Sequence, residues 1–346
     1  MVSKIAIFYQ ASEPPAIAGL KKPLKLGGYR DSGADIGFAL VSRRYALVTP
    51  KLNPEPTRPD DWVFPDTAKG FEDAFGLGAR VFWLNTVLYR GHPVEVWLKR
   101  DVEFIGQSTS DAEDGDNKFL TNKRLREAGL AVAHSNLLSE CQYGQISFPV
   151  VLKPIRGRGS QGVVVVNSDF DLKTQLNLHI KSSLYGADFI LEEFLPGKEL
   201  TITVMPPGNF NIDGGSIKKA SHWALPGVFR FNHIDGIAPY NGVVAVVNNS
   251  RVLTAAELAE GAYARAQLQC TLAAKIVNAK APIRIDCRQS ADGEFKIFDL
   301  NMKPNMTGAG RPDRSDQDSL SAIAARAIGW DYGDLIAAMV SCRWRQ

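Results

Sequence analysis

Short apolar runs bounded by polar and glycine-containing stretches open the chain. Lys4–Tyr9, Tyr45–Thr49, Ala79–Leu84 and Pro93–Leu98 read as strands, and residues 50–66, rich in Pro, Asp and Asn, read as a surface loop among them. This pattern predicts a small α/β lobe over residues 1–110. The polar stretch Ser108–Asn117 reads as a linker, and Lys118–Ala128 has the periodicity of an amphipathic helix stopped by Gly129. Strands are predicted at Phe148–Pro154 and Gly162–Val166, joined by a glycine-rich turn, then a helix over Asp169–Leu184 and strands at Asp188–Phe194 and Glu199–Met205. Further on, Thr254 and Glu257 form a capping-box pattern that opens a long helix. Two strand-like runs then flank Asp292-Gly293, and a helix is expected near Asp316–Ile328. The implied architecture is α/β and α+β: an N-terminal α/β lobe (1–110), a central lobe (111–205) and a C-terminal lobe (206–346), the last two facing each other.

The Asp292-Gly293 pair is a strong hairpin signal, because a type I′ turn needs positive φ at both central residues. A two-residue loop there pairs Ala291 with Glu294, sets Asp286 opposite Asp299, and sets Arg284 opposite Asn301. All four then share one face of the sheet. Like charges directly opposed are destabilising, which calls for a cation between them, and magnesium is the natural candidate. The plainer alternative is a solvated face on which Arg284 and Arg288 neutralise the aspartates.

Gly157-Arg-Gly159-Ser160-Gln-Gly162 matches the Gly-x-Gly-x-x-Gly dinucleotide fingerprint letter for letter. That fingerprint requires a helix directly after the loop, whereas here the β-branched run Val163–Val166 follows. Strand, glycine loop, strand is instead the geometry of a flap whose backbone N–H groups cradle nucleotide phosphates. A purely structural turn is the alternative. Lys153 lies just before this loop on an otherwise apolar strand, where a lysine is rarely buried without a partner.

Composition narrows the classes. At 346 residues with 45% hydrophobic and 22% charged residues, the chain is an ordinary globular protein large enough for two or three domains. A net charge of +3 spread along the chain does not argue for nucleic acid. No apolar run is long enough to span a bilayer, and Lys4–Tyr9 is too short for a signal-peptide core, so a cytoplasmic protein is expected. Four widely spaced cysteines fit reduced thiols, and the five histidines show no metal-ligand spacing.

Taken together, Arg284-Ile285-Asp286, Asp299-Leu300-Asn301 and Pro304-Asn305-Met306-Thr307 resemble the final hairpin of ATP-grasp enzymes. In the D-alanine:D-alanine ligase branch that region reads approximately Arg-Ile-Asp, Glu-x-Asn and Pro-Gly-Met-Thr. The resemblance covers roughly residues 105–340 and implies an ATP-grasp fold whose two α+β lobes sandwich ATP. It also implies a ligase of the amino-acid or dipeptide type that joins a small-molecule carboxylate to an amine through an acyl phosphate and releases ADP and phosphate, with ATP and Mg2+ as cofactors. Lys153 and Lys118 would contact phosphates together with Gly157, Gly159, Ser160 and Gly162. Lys118 stands eleven positions before Gly129-Leu130, as the family's second lysine does, with Asn117 in place of the usual Asp; a solvated helix-start lysine is the alternative. Ile190–Leu200 resembles the adenine-binding crossover, in which Glu192 would accept from the adenine amino group, Glu199 would hold the ribose, and Phe194 and Leu195 would line the base pocket. Asp286, Asp299 and Asn301 would hold the metal, and Arg284 would stabilise the oxyanion of the tetrahedral intermediate.

Ser319 matches the serine that holds the acceptor carboxylate, although a helix-start serine is also a routine cap. Arg311 and Arg314 are candidates to clamp the same carboxylate, or to be solvated, and Asn305 borders that substrate region. Arg230 would close over the phosphates from a mobile segment. Three departures count against D-alanyl-D-alanine synthesis: Gly27-Gly28 are followed by Tyr-Arg-Asp-Ser rather than the family's first-substrate motif, Asn305 replaces a glycine, and Asp299 is shorter than Glu. A phosphotransferase on the same fold and a nucleotide-binding module without turnover stay open, as does a homodimer.

Overall fold

The computed structural model describes residues 3–17, 19, 27–157, 159–182, 186, 188–212, 215–238 and 245–346. The N-terminal lobe is built on a parallel sheet in the order Phe64–Pro65, Lys4–Tyr9, Ala79–Asn85, Glu103–Ile105. Two helices, Gly28–Ser42 and Ala68–Gly76, complete it as an α/β lobe. The first of these helices was not evident in the sequence. Its three glycines lower intrinsic helix propensity, and packing of Ile36, Ala39 and Leu40 into the core overrides that preference.

Two predicted strands of this lobe are absent. Around Tyr45–Thr49 only Leu47 bridges to Ile5, and Pro93–Trp97 is a 3-10 helix. Proline suits the first turn of a helix, where its missing N–H is not needed, and His92 caps the turn by accepting from the Val94 N–H at 3.2 Å. The expected linker is also helical: Thr109–Gly115 is capped by Ser108, whose hydroxyl accepts from Asp111 N–H at 3.1 Å.

The central lobe carries a four-stranded antiparallel sheet in the order Ser135–Leu137, Phe189–Glu193, Val150–Pro154, Val164–Val166. Helix Lys118–Glu127 enters it with Asn117 as cap, its side-chain oxygen accepting from Leu120 N–H at 3.0 Å. Asparagine thus serves the capping role as an aspartate would. Helix Asp169–Ser182 follows the glycine-loop hairpin; its predicted last residue, Leu184, lies outside the described residues.

In the C-terminal sheet the order is Ser250–Val252, Val228–Arg230, Glu199–Met205, Ile283–Gln289, Phe295–Asn301, with Trp223–Ala224 also paired to Glu199–Met205. Glu199–Met205, assigned to the central lobe from the sequence, is therefore a middle strand of the C-terminal sheet. The Thr254–Glu257 capping box is present, but the helix breaks at Glu260 into Ala255–Ala259 and Gly261–Ile276. The predicted helix near Asp316–Ile328 is shorter, Leu320–Arg326, and Tyr332–Ser341 follows it.

One apolar core joins the N-terminal lobe to this end of the chain. Ile5, Ile36 and Trp62 pack with Leu320, Ile323, Trp330 and Leu335. The N-terminal lobe is thereby fixed as a wall of the cleft between the other two. The cysteines are free thiols, with Cys270, Cys287 and Cys342 buried.

Candidate active site

The final hairpin sets Asp286 opposite Asp299 and Arg284 opposite Asn301, the pairing expected from the sequence. It reaches that register by a different route. Gln289 pairs with Phe295 and Ser290 N–H donates to Glu294 O, so the loop holds three residues, Ala291, Asp292 and Gly293, with Gly293 at φ 85°. A bulge at Phe298, where the pairing steps from Cys287–Ile297 to Asp286–Asp299, restores the register. The extra residue has a use. Its carbonyl accepts from Lys153 Nζ at 3.3 Å, and its ring lies 5.0 Å from the same ammonium.

The two aspartates do not face each other as bare charges. Asp286 is buried, accepts from Thr201 Oγ1 at 2.7 Å and lies 3.3 Å from Arg284. Burial pushes its carboxyl above the usual range, with Arg284 opposing. Asp299 is ion-paired with Lys118. Burial works against its charge, but Lys118 and Lys153 outweigh it and hold the carboxyl below the usual range. Lys118 in turn is pushed up: burial opposes its charge and Asp299 overcomes that. The repulsion inferred from the sequence is therefore relieved by cationic side chains. Asp299 and Asn301 line the cleft, whereas Asp286 lies 1% exposed behind them. Among the described residues no group of three or more His, Cys, Asp or Glu is arranged to hold a metal by itself.

Above this floor, Val150–Pro154 and Val164–Val166 form the antiparallel flap, with no helix after the loop, which excludes the dinucleotide-fold reading. Gly159, Ser160 and Gly162 have φ of 60°, 58° and 71°, the left-handed region that glycine enters without strain, and Val163 N–H closes the turn onto Ser160 O. Gly157, Gly159 and Ser160 line the cleft; Gly162 shapes the turn behind them. Lys153 is buried on the flap strand and ion-paired with Glu192 on the neighbouring strand. Burial raises the Glu192 carboxyl above its usual range, with Lys153 opposing. Glu192, expected to meet adenine, lines the cleft, and its carboxylate is engaged by Lys153. A buried lysine needs such a partner, and the strand pairing of Glu192 with Val151 supplies it.

Phe194, Leu195 and Glu199 also line the cleft. Glu199 is buried against His233, 2.8 Å from its Nε2, and lies 4.0 Å from Arg288. Arg288 stands 5.3 Å from the Phe194 ring and donates to Gly197 O at 3.1 Å, tying the crossover to the final hairpin. Arg230 departs from expectation. It lies fully buried on strand Val228–Arg230, in register with Glu199, and is not among the cleft-lining residues. Pairing with Glu199 on one side and Ser250 on the other, not a moving arm, holds it.

Arg311 and Arg314 are likewise not placed for a substrate. Arg311 is buried, donating to Asp35 at 2.8 Å and to Pro56 O at 3.0 Å, and Arg314 meets Asp35 at 3.0 Å. Both arginines grip a fully buried carboxylate of helix Gly28–Ser42 and so lock the N-terminal lobe to the C-terminal one. Their long-range partner was invisible in the local sequence. Ser319 and Asn305 do line the cleft. Ser319 caps helix Leu320–Arg326, accepting from Ala322 N–H at 3.2 Å, while the Asn305 side chain accepts from Thr307 N–H at 3.3 Å.

Several cleft residues were not singled out from the sequence. Phe298 is one, hidden because nothing in the sequence marks a bulge. Arg156, just before the glycines, lines the cleft and pairs with Asp116 at 3.2 Å, and its position beside a phosphate-loop pattern was the available signal. Lys303, two residues past Asn301, stands 3.5 Å over the Tyr29 ring.

The cleft has a volume of about 320 Å3, lined by the flap, the crossover strand, the final hairpin and the N-terminal lobe. A glycine-rich flap closed over a carboxylate-bearing hairpin, between two α+β lobes, is the ATP-grasp arrangement. Residues 123–341 match the family model of the D-ala D-ala ligase C-terminus, and the chain belongs to that family. It is 30% identical to a D-alanine–D-alanine ligase of Brucella anthropi over 231 residues, 65% of this chain and 67% of that one. It is 27% identical to that of Bartonella henselae over 62% of this chain and 64% of the relative. The fold extends further than the sequence similarity. A D-alanine–D-alanine ligase from Bacillus anthracis complexed with ATP matches 99% of this chain and 97% of its own, with a TM-score of 0.64 at 17% identity. The VanG D-Ala:D-Ser ligase of Enterococcus faecalis covers 99% of both chains with a TM-score of 0.64 at 12% identity.

Proposed function

We propose that the protein is an ATP-dependent ligase that joins a carboxylic acid to an amine through an acyl phosphate and releases ADP and phosphate. The observation that carries this reading is the convergence of Lys118, Lys153 and the glycine flap with Asp299, Asn301 and Arg284 on one cleft. Family membership supports it independently. Lys118, Lys153 and the flap would hold the outer phosphates, while Phe194 and Leu195 receive the base and Glu199 the ribose. A carboxylate oxygen of the acid then attacks the γ-phosphorus, and ADP leaves. The amine nitrogen attacks the acyl carbon, loses its proton, and inorganic phosphate departs. Arg284, which lines the cleft, would stabilise the oxyanion formed in that second step. Ser319 uses an acceptor lone pair for its cap, so its hydroxyl can donate to an anionic group of the acceptor. The protein's share is positioning and charge neutralisation rather than covalent catalysis.

Asp299 and Asn301 on the cleft wall, with Asp286 behind them, are an oxygen donor set suited to a hard cation that keeps water and phosphate in its shell. Magnesium held there would neutralise phosphate charge and polarise the transferred group. Among the described residues no helix is long and apolar enough to cross a membrane, and small-molecule substrates fit the cleft. The phosphotransferase alternative gains no support from the relatives, which carry ligase names.

The test is a screen of acid and amine pairs with ATP and magnesium. A ligase releases ADP and free phosphate only when acid and amine are both present. ADP formed at full rate with one organic substrate, its phosphate retained on the product, would establish the kinase instead.

A further inference from the structure

The N-terminal lobe presents an unusual wall to the cleft. From the loops after strands Lys4–Tyr9 and Ala79–Asn85 and the start of helix Gly28–Ser42 come Pro15, Ile17, Tyr29, Val87, Leu88 and Tyr89. None is charged. Among the described residues, the carboxylates that reach the cleft beside this wall are engaged: Glu113 with Arg90 at 2.9 Å and Asp116 with Arg156 at 3.2 Å. Among the described residues an ammonium placed against this wall meets no carboxylate that is not already engaged, and the Tyr29 face is already covered by the Lys303 ammonium, so its lost hydration is not replaced.

Where the wall meets the final hairpin, the charge is positive. Lys303 lies 3.5 Å over the Tyr29 ring, and its backbone N–H donates to Asn301 Oδ1 at 3.0 Å. A carboxylate bound at this junction would lie beside Asn301 and Arg284, while its body extended over Tyr29, Leu88 and Tyr89.

The wall is built rather than draped. The buried Asp66 carboxylate accepts from Ala11 N–H at 2.9 Å on one oxygen and from the Thr86 hydroxyl on the other, and it lies 3.2 Å from His92 Nε2. His92 Nδ1 accepts from Val94 N–H, so Nε2 carries the proton and donates to Asp66. One carboxylate thus pins both apolar loops. Asp66 is a positioning residue.

From these observations we infer that the acyl donor is a carboxylic acid with an aromatic or bulky apolar body and no ammonium group beside its carboxyl, an inference that rests on the ligase reading above. The test is calorimetric titration of the full chain, saturated with magnesium and an ATP analogue that cannot be cleaved between its β- and γ-phosphates. The probes are 3-phenylpropionate, acetate and D-alanine. 3-Phenylpropionate should bind at least tenfold more tightly than the other two. Tyr89→Ala should erase most of that preference, and Asp66→Asn should weaken it, with analogue affinity unchanged in both as the check on folding.

D-Alanine or acetate binding as tightly as 3-phenylpropionate, no detectable 3-phenylpropionate binding, or a preference untouched by Tyr89→Ala would each overturn the inference. Because this readout is binding alone, it fails separately from the ligase reading, which the two-substrate ADP assay decides.

Discussion

Asp299→Ala should lower turnover by at least about a hundredfold, the loss typical of removing one group that stabilises charge in a transition state. It should also destabilise the fold. Two opposed aspartates, taken alone, suggest relief on removing one. In the structure, however, Asp299 is the ion-pair partner of Lys118, which lies largely buried at the start of helix Lys118–Glu127. Without Asp299 that ammonium is left unpaired, at a cost of about 1–3 kcal/mol. Turnover at saturating ATP and magnesium, with urea denaturation of the same variant, measures both effects. An unchanged turnover would remove Asp299 from the site, and unchanged stability would mean that the Lys118 pair contributes nothing.

Lys153→Met should be more damaging to stability, because it strands Glu192 in the interior. Breaking one side of a buried ion pair costs about 3–5 kcal/mol. Glu192 already has its carboxyl raised by burial despite Lys153 beside it. A carboxyl whose folded-state pKa is raised stabilises the fold most below its unfolded pKa and loses that contribution as pH rises through the folded value. Removing Lys153 pushes it higher still, so the variant should weaken steadily as pH increases from the acidic side. Adding Glu192→Leu should recover much of the stability while ATP affinity stays at least tenfold below the parent. Restored affinity in the double variant would show that Lys153 serves the core and not the phosphates.

What could be read from the sequence was local. The glycine flap was legible because strand, loop and strand are contiguous, and the β-branched run after Gly162 was enough to set aside the dinucleotide fingerprint. The Asp286–Asp299 pairing was legible for a less secure reason. The loop is one residue longer than Asp292-Gly293 alone suggests, and the Phe298 bulge compensates, so two offsets cancel.

What failed was long-range. Arg311 meets Asp35 across 276 positions, and no local pattern announces such a partner. Arg230 is held by the strand order, which sets it beside Glu199. Helix Gly28–Ser42 was obscured by its glycines, and tertiary packing decided its form. The corrections at Arg311 and Arg230 each move a charged residue away from the substrate and into the scaffold that keeps the cleft walls in place.

A reaction through an acyl phosphate carries one carboxyl oxygen of the acid into inorganic phosphate. The acid is supplied with its carboxyl oxygens labelled with 18O, together with amine, ATP and magnesium, and the phosphate and nucleotide products are analysed by mass spectrometry. One labelled oxygen should appear in inorganic phosphate for each amide bond formed, with ADP unlabelled. Label recovered in AMP, or phosphate released with no label while amide forms, would contradict the acyl-phosphate route.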